Sequence, residues 1–177
     1  MAGCGSYSKI EGFGFIPVTC FSQALTTFIG QNLGAKEYDR TKKGALFGTI
    51  CGIGIAEVIG IAVFFFSPYL IAAFGGDQKA IEYGIAEAHT IALFYCLLAF
   101  SHCMAAIQRG AGRSIVPMFV MMLVWCGVRV TYISIVIRII PVINVIYWAY
   151  PLTWFISSVI FLILFLKTDW IHGLEKQ

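Results

Sequence analysis

Among the ionisable side chains that stand inside otherwise apolar stretches of this sequence are Glu57, Glu87, His102 and Arg129. Charge is expensive in hydrocarbon, so a carboxylate or imidazole placed there is a functional candidate, and the chemistry open to the imidazole is proton relay. Arg129 keeps its proton under ordinary conditions and needs an acidic or carbonyl partner; Glu57 is the expected one. Each group also has a plainer reading. Glu57 is either an ion-coupling carboxylate or a neutral, protonated one hydrogen-bonded to a neighbouring helix. Glu87, like Glu82, is either coupled to an ion or solvated near the mouth of its helix, and His102 is either a proton relay or a satisfied core imidazole.

These residues must be positioned by helices that cross a bilayer. Of the 177 residues, 59% are hydrophobic and 12% charged, against roughly a quarter charged in ordinary globular domains. The apolar residues gather into five blocks, approximately 13–33, 44–66, 83–107, 114–138 and 142–166. Each is near the roughly 20 residues that span a hydrocarbon core as a helix. The expected fold is therefore an all-α polytopic membrane protein with its two ends on opposite sides. The first ten residues, MAGCGSYSKI, have neither a charged n-region nor an apolar h-region, so no cleavable signal peptide is expected.

Charge orients the spans. Lys36, Arg40, Lys42 and Lys43 follow span one, Arg109 and Arg113 follow span three, and Lys167 and Lys176 follow span five; the opposite loops hold Lys79 and Arg138. The positive-inside rule then places the 34–43 loop and the C-terminus in the cytoplasm. Tyr69, Tyr147, Trp148 and Trp170 fall near span ends, where amphipathic rings favour the headgroup layer. The basic clusters are short and form no stripe interleaved with aromatics, so nucleic acid is not an expected partner.

Span one carries Thr19, Ser22, Gln23, Thr26 and Thr27 at spacings that give it a polar face. That face either bonds another helix or lines a water-filled cavity, with Thr19, Gln23 and Thr26 as the candidate lining residues. Pro17 is expected to bend the span. In span two, Gly44, Gly48, Gly52, Ala56 and Gly60 recur every four residues, a stripe that lets another helix backbone approach closely. The six cysteines show no metal-type spacing and read as small apolar packing residues. No HExxH helix, phosphate loop or GxSxG elbow is present, and FGGDQ, residues 74–78, is a turn signal. The chain therefore reads as no enzyme, with no cofactor and no metal site.

The segment SQALTTFIGQNLGAKEYDRTKKG, Ser22 to Gly44, resembles the end of the second helix of each lobe in the multidrug and toxic compound extrusion (MATE) transporters. There a polar helix runs into a Gly-Gln-Asn-x-Gly-Ala turn and a charged cytoplasmic loop; Gly30, Gln31, Asn32, Gly34, Ala35 and Arg40 match. IQRGAGRSIVP, residues 107–117, is similar to the family's turn between the fourth and fifth helices of a lobe, and YPLTWFISSVIFLILF to its final helix. The resemblance covers about Glu11 to Lys167. It implies the last five helices of a twelve-helix, two-lobe transporter, that is, a C-terminal lobe without its first helix. The family's C-terminal acidic sites lie partly on the missing helix, which leaves Glu57, Glu82 and Glu87 as substitutes.

Physically, the two glycines of the turn would permit close packing and an abrupt exit, with Gln31 and Asn32 pairing helix-end carbonyls. The resemblance implies export of small amphipathic or cationic drugs or toxic metabolites across the plasma membrane, coupled to H+ or Na+ by alternating access. The partners implied are the lipid bilayer and the N-terminal lobe of the same transporter. The alternatives are a non-transporting membrane interaction module and a lipid-linked sugar flippase. An epitope tag at Gln177 in the native locus separates the first of these: a membrane product near 19.5 kDa favours the module, and a band more than twice that mass identifies the tail of a two-lobed exporter.

Overall fold

Small residues decide how closely these helices meet, and three of the five expected spans meet closely. In the computed structural model, which describes residues 2–73, 78–139, 142, 144–168 and 170–171, the chain runs back and forth through seven helices. They are α1 (Ala2–Gly34), α2 (Tyr38–Ala73), α3 (Gln78–Ala92), α4 (Tyr95–Gly110), α5 (Ile115–Met121), α6 (Arg129–Ile139) and α7 (Asn144–Lys167), with a π-helical segment, Met122–Val128, between α5 and α6. Lys176, residues 74–77 of the FGGDQ turn and the side chain of Cys4 lie outside the described residues.

Among the described residues, four helices are long and apolar enough to cross a membrane, or five spans when the bent pair α3–α4 counts as one. The boundaries differ from expectation. α1 begins at Ala2 rather than near residue 13, and α2 runs 36 residues rather than from 44 to 66. At a rise of 1.5 Å per residue α2 is about 54 Å long, well beyond the ~30 Å hydrocarbon core. The third span, expected as one helix over 83–107, is broken by 54° between Ala92 and Tyr95.

No proline or glycine marks that break; packing makes it. A Cβ on Gly60 of α2 would collide with the carbonyl oxygen of Ala92, so α2's backbone touches the last turn of α3. The chain turns there through short-range bonds, from the Phe94 amide to the Ile91 carbonyl at 3.0 Å and from the Leu97 amide to the Phe94 carbonyl at 3.0 Å. The Leu97 carbonyl accepts from Ser101 Oγ at 3.0 Å and from Ser158 Oγ of α7 at 3.1 Å. A backbone group buried in lipid needs such a partner.

The glycine stripe of α2 is the meeting line of α1, α2 and α4. Gly44 lies against Phe28, Gly48 against Leu25, and Gly52 between Phe21 of α1 and the thiol of Cys103 of α4. Gly110 returns the contact at the far end of α4: a Cβ there would stand 2.7 Å from both Ile29 Cβ and the Thr26 carbonyl oxygen. Around this framework lie two apolar clusters, one on Tyr7, Ile91, Tyr95, Leu98 and Trp154, the other on Leu25, Ile29, Met104, Ile107 and Phe161. α7 packs across α4, while α6 buries no residue.

The turn after α1 departs from its expected geometry. Gly30 does pack closely, since a Cβ there would stand 3.4 Å from the Gly110 carbonyl oxygen, and buried Asn32 donates from Nδ2 to the Phe28 carbonyl at 2.7 Å. A Cβ on Gly34, however, would meet nothing within 4 Å, and the left-handed residue that ends the helix is Lys36, at φ 60°. Hydrogen bonds from the Ala35, Lys36 and Glu37 amides to the Gln31, Leu33 and Asn32 carbonyls absorb the helix end, so the exit needs no glycine at 34. Two of the four expected belt rings pack against protein. Tyr147 is buried and donates to the Tyr83 carbonyl at 3.2 Å, and Trp170 is buried against Phe165; Tyr69 and Trp148 remain outward.

Because the Cβ of an alanine at 60 would strike backbone, Gly60→Ala should cost about 1–3 kcal/mol. Gly54→Ala, with nothing within 4 Å, should be neutral or slightly stabilising. Thermal unfolding of the detergent-extracted variants checks the pair, and equal melting temperatures would remove the Gly60 contact from the account.

Candidate functional site

α1, the π segment, α6 and α7 bring charged and aromatic side chains to one cavity. Ser8, Glu11 and Phe15 stand one turn apart on α1. Trp125 comes from the π segment, Arg129 from the first position of α6, and Tyr150 and Trp154 from α7; together they line about 360 Å³. The π ladder closes i to i+5 and commonly marks functional positions. Here it leads into the turn that presents Trp125 and Arg129 to the same space.

Arg129 spreads its charge over neutral partners. Nη2 donates to Thr153 Oγ1 at 2.9 Å, and the guanidinium lies 4.2 Å from the Tyr150 ring centre and 5.9 Å from that of Trp125. Planar guanidinium groups suit such stacking. Thr153 is buried and passes its own proton to the Ala149 and Tyr150 carbonyls, which aims its oxygen at the arginine. Arg129 Nε is buried without a hydrogen bond.

The negative side of the site is Glu11. It is half-buried and in electrostatic reach of Arg129 and of buried Glu87. Tyr7 and Tyr95, both buried, meet hydroxyl to hydroxyl at 3.3 Å, and Tyr7 in turn faces Glu11 and Glu87. Glu11 therefore links the guanidinium to a second carboxylate and a pair of phenols. Glu87 is not solvated at a helix mouth; it is 4% exposed.

His102 adjoins the cavity from α4. Its ring stands edge-on between Phe15, at 5.2 Å, and Trp125, at 5.5 Å, and Nε2 is buried without a hydrogen bond. Beside it a buried hydroxyl cluster links α4 to α7. Ser101 Oγ lies 2.9 Å from Ser157 Oγ and 3.0 Å from Ser158 Oγ, and Trp125 Nε1 donates to Ser157 at 3.4 Å.

Glu57 does not pair with Arg129. The arginine turns toward α7, whereas Glu57 of α2 stands beside the thiol of Cys96 on α4, with Oε2 buried and unbonded. Thr19 and Thr26 lie further along the α1 stripe, and their hydroxyls turn back to their own helix: Thr19 donates to the Phe15 and Ile16 carbonyls, Thr26 to that of Ser22. Gln23 is exposed. None of the three lines the Glu11 cavity. Glu11 falls outside a first span bounded at residue 13 by hydropathy. Stepping back from Thr19 by helical spacing through Phe15 reaches it, and that periodicity was the available signal.

The MatE family model matches residues 1–135. The chain is 28% identical over 126 residues to the probable multidrug resistance protein NorM of Thermotoga maritima, an alignment covering 68% of this chain and 27% of that protein. It is 23% identical over 133 residues to the probable multidrug resistance protein YoeA of Bacillus subtilis, covering 73% and 28%. The aligned part is thus just over a quarter of the length of these relatives. Helices, polar turn and matched residues agree: the chain belongs to the MatE family.

Proposed function

We propose that this chain is the cation-coupling part of a multidrug efflux transporter that exchanges H+ or Na+ for small amphipathic or cationic organic compounds. The observation that carries the reading is the Glu11 cavity: Glu11 stands in an apolar setting within electrostatic reach of the Arg129 guanidinium on one hand and of a second, buried carboxylate, Glu87, on the other. With both carboxylates ionised the trio holds one excess negative charge. One bound cation neutralises it, and in a poorly solvated site that neutrality is strongly favoured. The arginine fixes the balance at one cation, because it keeps its own proton.

Alternating access follows if the neutral and charged forms favour different packings of the helices. Cation binding would favour one arrangement and drug release the other. His102 and Glu57 are the candidate relays between the cavity and the rest of the helix bundle; their buried, unbonded Nε2 and Oε2 atoms support that reading. Support for the substrate class comes from the names of the two relatives, both multidrug resistance proteins. In this reading the loop at Lys36–Lys43 and the C-terminus face the cytoplasm at the plasma membrane, and an N-terminal lobe of the same transporter completes the drug path.

Export assays in the full-length parent test the assignment. Glu11→Gln is expected to lower ion-driven export at least about tenfold, the scale of a lost interaction near 1.4 kcal/mol, with membrane insertion intact. Glu57→Gln should reduce export to a smaller extent. Wild-type drug resistance in the Glu57 variant would remove that residue from the mechanism, and wild-type resistance in the Glu11 variant would sink the site. Collapsing the pH gradient and the Na+ gradient separately in vesicles identifies the ion.

A further inference from the structure

A second cavity, of about 530 Å³, opens where α2, α4 and α7 meet at the end of the bundle that carries Lys36, Arg40 and Lys167. Its volume falls within the roughly 300–1,000 Å³ of small-ligand sites. Its floor is apolar, with Met104 and Ile107 buried, and its rim is formed by Leu46 and Leu166, 66% and 74% exposed. Trp170 closes the end by stacking on Phe165, ring centres 5.3 Å apart.

Only two lining residues are polar. Thr49 has already spent its proton on the Ala45 carbonyl at 2.8 Å. That leaves the ammonium of Lys42, and among the described residues no carboxylate forms an ion pair with it. The groove therefore offers a long apolar floor with one positive charge at one end. The matching ligand has a hydrocarbon chain and a single anionic head. Lys42 also lies beside the loop and the tryptophan that mark a headgroup layer, and juxtamembrane basic residues attract anionic lipid there.

We propose that this groove holds an anionic phospholipid, its acyl chain along α4 between α2 and α7 and its phosphate on Lys42. Naming the leaflet as cytoplasmic rests on the charge-based orientation given above; binding itself does not, and an assay in micelles is blind to orientation. Native mass spectrometry of the protein extracted in detergent, titrated with phosphatidylglycerol and with phosphatidylcholine of the same chains, tests it. Phosphatidylglycerol should bind more tightly, Lys42→Gln should weaken it about fivefold toward the phosphatidylcholine value, and Lys42→Arg should restore it. Equal binding of the two lipids, a preference unchanged in Lys42→Gln, or a groove occupied by a second copy of the chain, seen as a dimer mass that excludes lipid, would each overturn the assignment. Because Lys42 is exposed, loss of the fold does not confound the variant.

Discussion

Contact between helix backbones across small residues is the constraint on which the rest of this structure depends. Lipid supplies no hydrophobic drive to bring helices together, so packing and hydrogen bonding must do it. α2 meets α1 and α4 along Gly44, Gly48, Gly52 and Gly60, and α4 meets α1 at Gly110. The Gly60 contact sits on the Ala92 carbonyl, where α3 gives way to α4. The direction of α4 thereby follows from a glycine on another helix. That direction in turn sets where Tyr95, Cys96, Ser101 and His102 stand.

The buried charges depend on that framework in a second way. A guanidinium in a dry site is tolerated when neighbouring dipoles and rings accept its charge, and breaking such an arrangement leaves it exposed to the full cost of burial. Arg129 has Thr153 on one side and two aromatic faces on the others. Those partners come from α7 and the π segment, whereas Glu11, Glu87, Tyr7 and Tyr95 come from α1, α3 and α4. The charge trio thus bridges two sets of helices. A change in its charge state acts across that boundary.

Much of this was legible in the sequence. The five apolar blocks, the alternation of basic loops and the glycine stripe all follow from local composition and spacing, and the structure places helices over every block. What was not legible came from partners distant in sequence. The 54° break has no breaker residue, because its cause is Gly60, more than thirty positions earlier. Depth in the spans suggests a Glu57 to Arg129 pair, but depth does not say which way a side chain faces; Arg129 turns to Thr153 instead. Tyr147 had the position of an interfacial ring but spends its hydroxyl on Tyr83 inside the bundle. Glu11 was hidden by a boundary drawn where hydropathy rose, although helical periodicity continued upstream of it.

The π segment has a consequence for how length change is tolerated along the chain. A wide turn carries a surplus residue relative to an α-helix, so a one-residue deletion within Met122–Val128 has a ladder ready to close over it. The same deletion in α2 would rotate everything beyond it by about 100° and carry the glycine stripe off its neighbours. Two helices of similar apolarity therefore differ in kind: one is a ruler whose divisions are fixed, the other a splice with slack in it, and Arg129 is fastened at the end of the slack.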